Sequence, residues 1–125
     1  MQLFPEYWDF PIYHLLSRFI KIVIENLAQK EVLGNGQRTS VLKLLQGSYI
    51  DWMHACGGKG RCTTCKMIVL EGSDQLTALS EAELSYRKKG DLAENERLAC
   101  QATLVGYCLV RVPDEYKLPH LIYSD

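Results

Sequence analysis

The 125-residue chain has no long apolar run, no excess of either charge, no internal repeat and no low-complexity stretch. Each absence removes a class of protein. Apolar runs stop after a few residues, far short of the roughly 20 needed to cross a bilayer as a helix, so no membrane span is expected. A formal net charge of −1 gives no general attraction to nucleic acid. There is no Gly-x-Gly-x-x-Gly or P-loop pattern and no evident pairing of a nucleophile with a base, which argues against nucleotide binding and against intrinsic catalysis. The first twenty residues, MQLFPEYWDFPIYHLLSRFI, carry Glu6, Asp9, Pro5 and Pro11 but only Arg18 as a basic group. That suits neither a secretory signal nor a transit peptide, and a cytoplasmic protein is expected.

What is present is an ordinary globular composition, 47% apolar and 23% charged, in a length that suffices for one core without disulfides. Residues 1–18 are rich in aromatics (Phe4, Tyr7, Trp8, Phe10, Tyr13) and broken by prolines, so they read as an N-terminal extension. It is expected to pack on the domain or on a second copy, with a docking arm for a partner as the alternative. The main domain is expected over 19–113. In FIKIVIE, Ile20, Ile22 and Ile24 share one face and Lys21, Val23 and Glu25 the other, the two-residue period of a half-buried strand. KEVL at 30–33 can return as the second arm of a hairpin. Ser40 can cap a short helix with Val41, Leu44 and Leu45 on one side, ended by Gly47. KMIVLEG reads as a buried strand, SEAE at 80–83 matches a capping box opening a helix that runs to Gly90, and CLVRV at 108–112 alternates again. The result is a mixed α+β domain around one sheet. Residues 114–125 form a C-terminal tail whose Leu118, Leu121, Ile122 and Tyr123 suit lying on the domain; His120 is assigned no role.

Five cysteines is an odd count, and three of them crowd into HACGGKGRCTTCKM, residues 54–67. Without an export signal, thiols serving as metal ligands in a reducing compartment are favoured over a disulfide framework. The spacing is Cys-x5-Cys-x2-Cys at Cys56, Cys62 and Cys65, followed far downstream by Cys100 in RLACQ. Structural zinc usually takes two close cysteine pairs, and only one such pair exists here, although zinc stays open. Three thiols around one loop with a distant fourth is the arrangement of plant-type two-iron ferredoxins, whose first gap is four residues. The fifth thiol, Cys108, alternates with Leu109 and Val110 in the manner of a strand interior and is expected in the core.

The stretch HACGGKGRCTTCKM together with RLACQ resembles the adrenodoxin-like and bacterial iron–sulfur-assembly branch of the [2Fe-2S] ferredoxins, in which the first gap is five and the last cysteine lies in R-L-x-C-Q. The resemblance covers roughly residues 19–113. It implies a β-grasp fold with one mixed sheet, a packed helix and a metal-binding loop, and a [2Fe-2S] cluster held by Cys56, Cys62, Cys65 and Cys100. It also implies a one-electron carrier meeting a ferredoxin reductase and an electron-accepting enzyme transiently. Other readings are the iron–sulfur subunit of a larger oxidoreductase and a zinc-binding or redox-sensing interaction domain. A homodimer through the terminal extensions is a further expectation.

Elementary charge counting supports the resemblance. Two ferric ions, two sulfides and four thiolates sum to two negative charges, and reduction makes three, so backbone dipoles must crowd the sulfurs. Gly57, Gly58 and Gly60 leave room for that, and Thr63 and Thr64 can add hydroxyl donors. Lys59, Arg61 and Lys66 would favour the reduced state, unless they are merely solvated. His54 is expected to be structural. The family also docks through an acidic helix; the candidates here are Glu81, Glu83, Asp91 and Glu94, diluted by Arg87, Lys88, Lys89 and Arg97.

Overall fold

The structure, a computed structural model, describes residues 20–34, 39–55 and 62–125. The N-terminal extension and the glycine-rich loop, including Cys56, lie outside the described residues. The described residues contain five strands, β1 Lys21–Ile24, β2 Lys30–Leu33, β3 Lys66–Glu71, β4 Glu96–Leu98 and β5 Tyr107–Arg111. They also contain two α-helices, α1 Val41–Gly47 and α2 Glu81–Lys89, with short 3-10 turns at Ser73–Gln75 and Asp114–Tyr116.

The sheet order is β2-β1-β5-β3-β4. β1 and β2 form the expected antiparallel hairpin, whereas β1 and β5 run parallel, because everything between them, both helices included, serves as the crossover. β3 pairs antiparallel with both β5 and β4. This is the β-grasp fold. Register aligns Val32, Ile22 and Cys108 in one row and Ile24, Val110 and Val69 in the next. All six are buried, and α1 covers the core with Val41, Leu42 and Leu45. Full burial of each such aliphatic side chain is worth about 1.5–3 kcal/mol. Cys108 is therefore a core residue, as expected, and burial pushes its thiol up to about 11.

Helix ends follow the sequence. Ser40 is extended and its hydroxyl accepts from Lys43 N at 3.2 Å. Ser80 and Glu83 close a reciprocal capping box, and Gly90 ends α2 at φ 86°. Two expectations need correction. β4 is an additional strand, absent from the sequence reading because Glu96-Arg97-Leu98 is too short to show a period. Glu83 is fully buried, so it cannot belong to a docking face.

The tail folds back on its own domain. Ser124 N donates to Asn26 O at 3.0 Å and its hydroxyl accepts from Ala28 N at 3.1 Å, while the Asp125 carboxylate pairs with Arg111 and Lys117. Those contacts brace a hairpin turn in which Ala28 and Gln29 hold φ 53° and 57°, a conformation costing non-glycine residues about 1–2 kcal/mol each. Among the described residues, no helix is long and apolar enough to cross a membrane.

Candidate metal centre

Two chain segments distant in sequence converge at Cys65. This residue ends the loop that leads into β3 and is 1% exposed. Its carbonyl accepts from Trp52 Nε1 at 3.1 Å and from Ala99 N at 3.2 Å, and its Sγ accepts from Cys100 N at 3.5 Å. Trp52, itself buried, thereby ties the approach to the loop to the start of β3.

Cys100 is delivered by a tight turn after β4, in which Gln101 N and Ala102 N both donate to Leu98 O. That turn is fixed from two sides. Leu42 N and Val41 N of α1 donate to Ala99 O and Ala102 O at 2.9 and 2.8 Å. On the other side Leu98 N donates to Glu83 Oε2 at 2.9 Å, and Glu83 also receives Arg97 Nε at 2.7 Å and Nη2 at 3.0 Å. Burial alone would raise the Glu83 carboxyl, but Arg97 and the amides of Ser80 and Leu98 outweigh it and hold the group below its ordinary value.

Cysteine sulfurs are soft metal ligands, and in the absence of metal the contact with Cys100 and burial keep Cys65 protonated. The Cys65 thiol is pushed well above its ordinary value, first by a hydrogen bond with Cys100 and then by burial, with Cys62 close enough to add a charge interaction. Gln101 Nε2 donates to Cys100 Sγ at 3.6 Å, and the Thr64 hydroxyl lies 3.0 Å from Cys62 Sγ. Of the four expected thiols, Cys65 and Cys100 thus meet, with donors on both of their sulfurs, and Cys62 lies near enough to Cys65 for a charge interaction. Among the described residues no three His, Cys, Asp or Glu side chains gather around one point that would hold a single ion.

The family described as the 2Fe-2S iron-sulfur cluster binding domain matches residues 24–105. The chain belongs to that family. Its membership is supported by similarity to 2Fe-2S ferredoxin-5 of Aquifex aeolicus, 35% identical over 88 residues, which covers 69% of this chain and 88% of that protein. Among solved structures, the ISC-like [2Fe-2S] ferredoxin FdxB of Pseudomonas putida superposes with a TM-score of 0.58 at 29% identity, covering 80% of this chain and 94% of that one. The chain is also 32% identical to a component of the Na(+)-translocating NADH-quinone reductase of Methylococcus capsulatus, where the match takes in 83% of this chain but only 26% of that protein.

Within this family frame the neighbouring residues sort themselves. Lys66 is nearly buried in β3 and faces Glu96 at 3.3 Å, so a carboxylate offsets much of its charge. The Thr63 hydroxyl meets that of Tyr116, 3.2 Å away. His54 is structural, its Nδ1 2.8 Å from Trp52 O and its Nε2 3.5 Å from Gln46 Nε2. His120 meets Asp51 at 2.7 Å. Of the acidic candidates, Glu81, Asp91 and Glu94 are exposed and Glu83 is not. Gln101, Trp52 and Tyr116 escaped the sequence reading; only Gln101, adjacent to a ligand-like cysteine in RLACQ, carried a usable signal.

Proposed function

We propose that the chain is a one-electron carrier whose [2Fe-2S] cluster is held by Cys56, Cys62, Cys65 and Cys100. The observation that carries this reading is the meeting of Cys65 and Cys100, remote in sequence, with the Cys100 amide on the Cys65 sulfur. When bound, the cluster supplies a single reversible electron. The protein's part is to hold and shield it. Buried Cys65 and Cys100 keep water from one side, while the Cys100 amide, Gln101 and Thr64 supply donors that offset the charge added on reduction.

In this reading the chain takes an electron from a ferredoxin reductase and delivers it to an acceptor enzyme in brief encounters, in the cytoplasm, where thiols stay reduced. Glu81, Asp91 and Glu94 remain candidates for electrostatic steering. A homodimer through the terminal extensions is part of this reading; the C-terminal tail is engaged in part with its own domain but leaves Ile122 exposed. The similarity to part of a quinone reductase component favours a second reading, a fixed iron–sulfur element of a larger oxidoreductase. Anaerobic redox titration of the purified chain tests the first: a single one-electron wave, with rapid electron passage to a soluble acceptor protein, is expected. A redox-silent protein overturns it, and a wave that reaches acceptors only in a copurifying complex favours the second reading.

A further inference from the structure

The family reading leaves the C-terminal strap without a task, yet the strap reaches the metal loop. Its path is rigid. Val112 N donates to Asn26 Oδ1 at 2.8 Å, Asn26 Nδ2 donates to Val112 O at 3.0 Å, and Pro113 next to them is fully buried. From that anchor the turn Asp114–Tyr116 lifts the Tyr116 hydroxyl to within 3.2 Å of Thr63 Oγ1, between Cys62 and Cys65. The Lys66 ammonium lies 6.0 Å from the centroid of the Tyr116 ring, within reach of a cation–π attraction, while it pairs with Glu96. Thr63 O accepts from Lys66 N at 3.0 Å, so the same short turn is fixed at its side chain and its backbone. Farther along, His120 meets Asp51, which precedes the loop on its other flank, and Asp125 ties the end of the strap to Lys117.

Taking the cluster-carrier reading as given, we propose that Tyr116 is a positioning residue for the cluster, acting through Thr63 to hold the turn that carries Cys62 and Cys65. The two adjacent threonines divide the work. Thr64 approaches the Cys62 sulfur, and Thr63 is taken by the strap, which prevents the turn from rotating Thr64 away. Either hydroxyl can donate in this contact, and removing either one breaks it.

The test compares the full chain with Tyr116→Phe, Thr63→Val and the double variant. Each keeps its shape and loses one hydroxyl. Three quantities are read: the reduction potential, the rate at which visible absorbance is lost in a chelator, and amide exchange over residues 62–66 without metal. Tyr116→Phe is expected to shift the potential, to speed cluster loss about fivefold, the factor one ordinary hydrogen bond commands, and to speed exchange in the turn. Added to Thr63→Val, it is expected to do nothing more, because both remove the same bond. Unchanged potential and exchange in Tyr116→Phe, or effects that add fully in the double variant, overturn the proposal. A wild-type chain that binds no iron defeats the carrier reading instead, and the exchange measurement still decides whether Tyr116 holds the turn.

Discussion

Replacing Glu83 by glutamine should damage the protein more than any other single polar change on α2. The carboxylate is fully buried and accepts four hydrogen bonds, two from Arg97 and one each from Ser80 N and Leu98 N. Glutamine matches the volume but removes the charge and turns an amide donor toward other donors. Arg97, 6% exposed, would keep the Ala78 carbonyl at 3.5 Å. An uncompensated buried charge costs about 3–5 kcal/mol, a large part of the roughly 5–15 kcal/mol that keeps a domain folded. In urea unfolding at neutral pH with a slope near about 2 kcal/mol/M, the midpoint should fall by about 2 M. The pH dependence follows from the direction of the shift. Glu83 is held below its ordinary value of 4.5 when folded, so its contribution is complete at neutral pH and fades as pH drops beneath that value and the native carboxylate takes up its proton. The gap between wild type and Glu83→Gln should therefore narrow as the pH is lowered past 4.5 and the folded-state carboxylate protonates. A loss below about 1 kcal/mol at neutral pH, or a gap that stays constant on acidification, would refute the reasoning.

Gly72→Ala should be far worse than Gly90→Ala in thermal melts, although both glycines have positive φ, 84° and 86°. A Cβ on Gly72 would lie 2.2 Å from Tyr107 O and 3.0 Å from Cys108 Cα, whereas one on Gly90 meets nothing within 4 Å, leaving only the backbone strain of about 1–2 kcal/mol. Asn26→Ala orphans the buried amide and carbonyl of Val112 and should cost about 2–4 kcal/mol in denaturant unfolding. Cys100→Ser should strip most of the visible absorbance, while Cys108→Ser should keep it and lose about 1–3 kcal/mol of stability for a core hydroxyl; the opposite pattern would exchange their roles.

Much of this was legible in the sequence because local rules and tertiary structure agree. The strand in KIVI, the Ser80–Glu83 capping box and Gly90 each carry their physics within a few residues and stand where expected, although Val23 is buried along with Ile22 and Ile24, so β1 is covered on both faces instead of half-buried. Long-range features were harder. Nothing local marks Glu96-Arg97-Leu98 as a strand, since it exists by pairing with β3 and by the grip of Glu83 on Leu98 N. Glu83 illustrates the limit well: its place in the capping box was readable, but its burial depends on Arg97, fourteen positions away. For the site, the cysteine spacing named the ligand candidates, and Gln101 lies beside one of them in sequence, whereas Trp52 and Tyr116 reach it only through the fold.

The central claim is that four thiols grip a bridged pair of irons. Iron, zinc and acid-labile sulfide should be quantified per chain in protein purified without oxygen, before and after Cys56→Ser. Two irons and two sulfides in the native chain, with a large loss in the variant, is the expected result. Zinc at one equivalent without sulfide, or iron and sulfide unaffected by the loss of Cys56, would contradict the account.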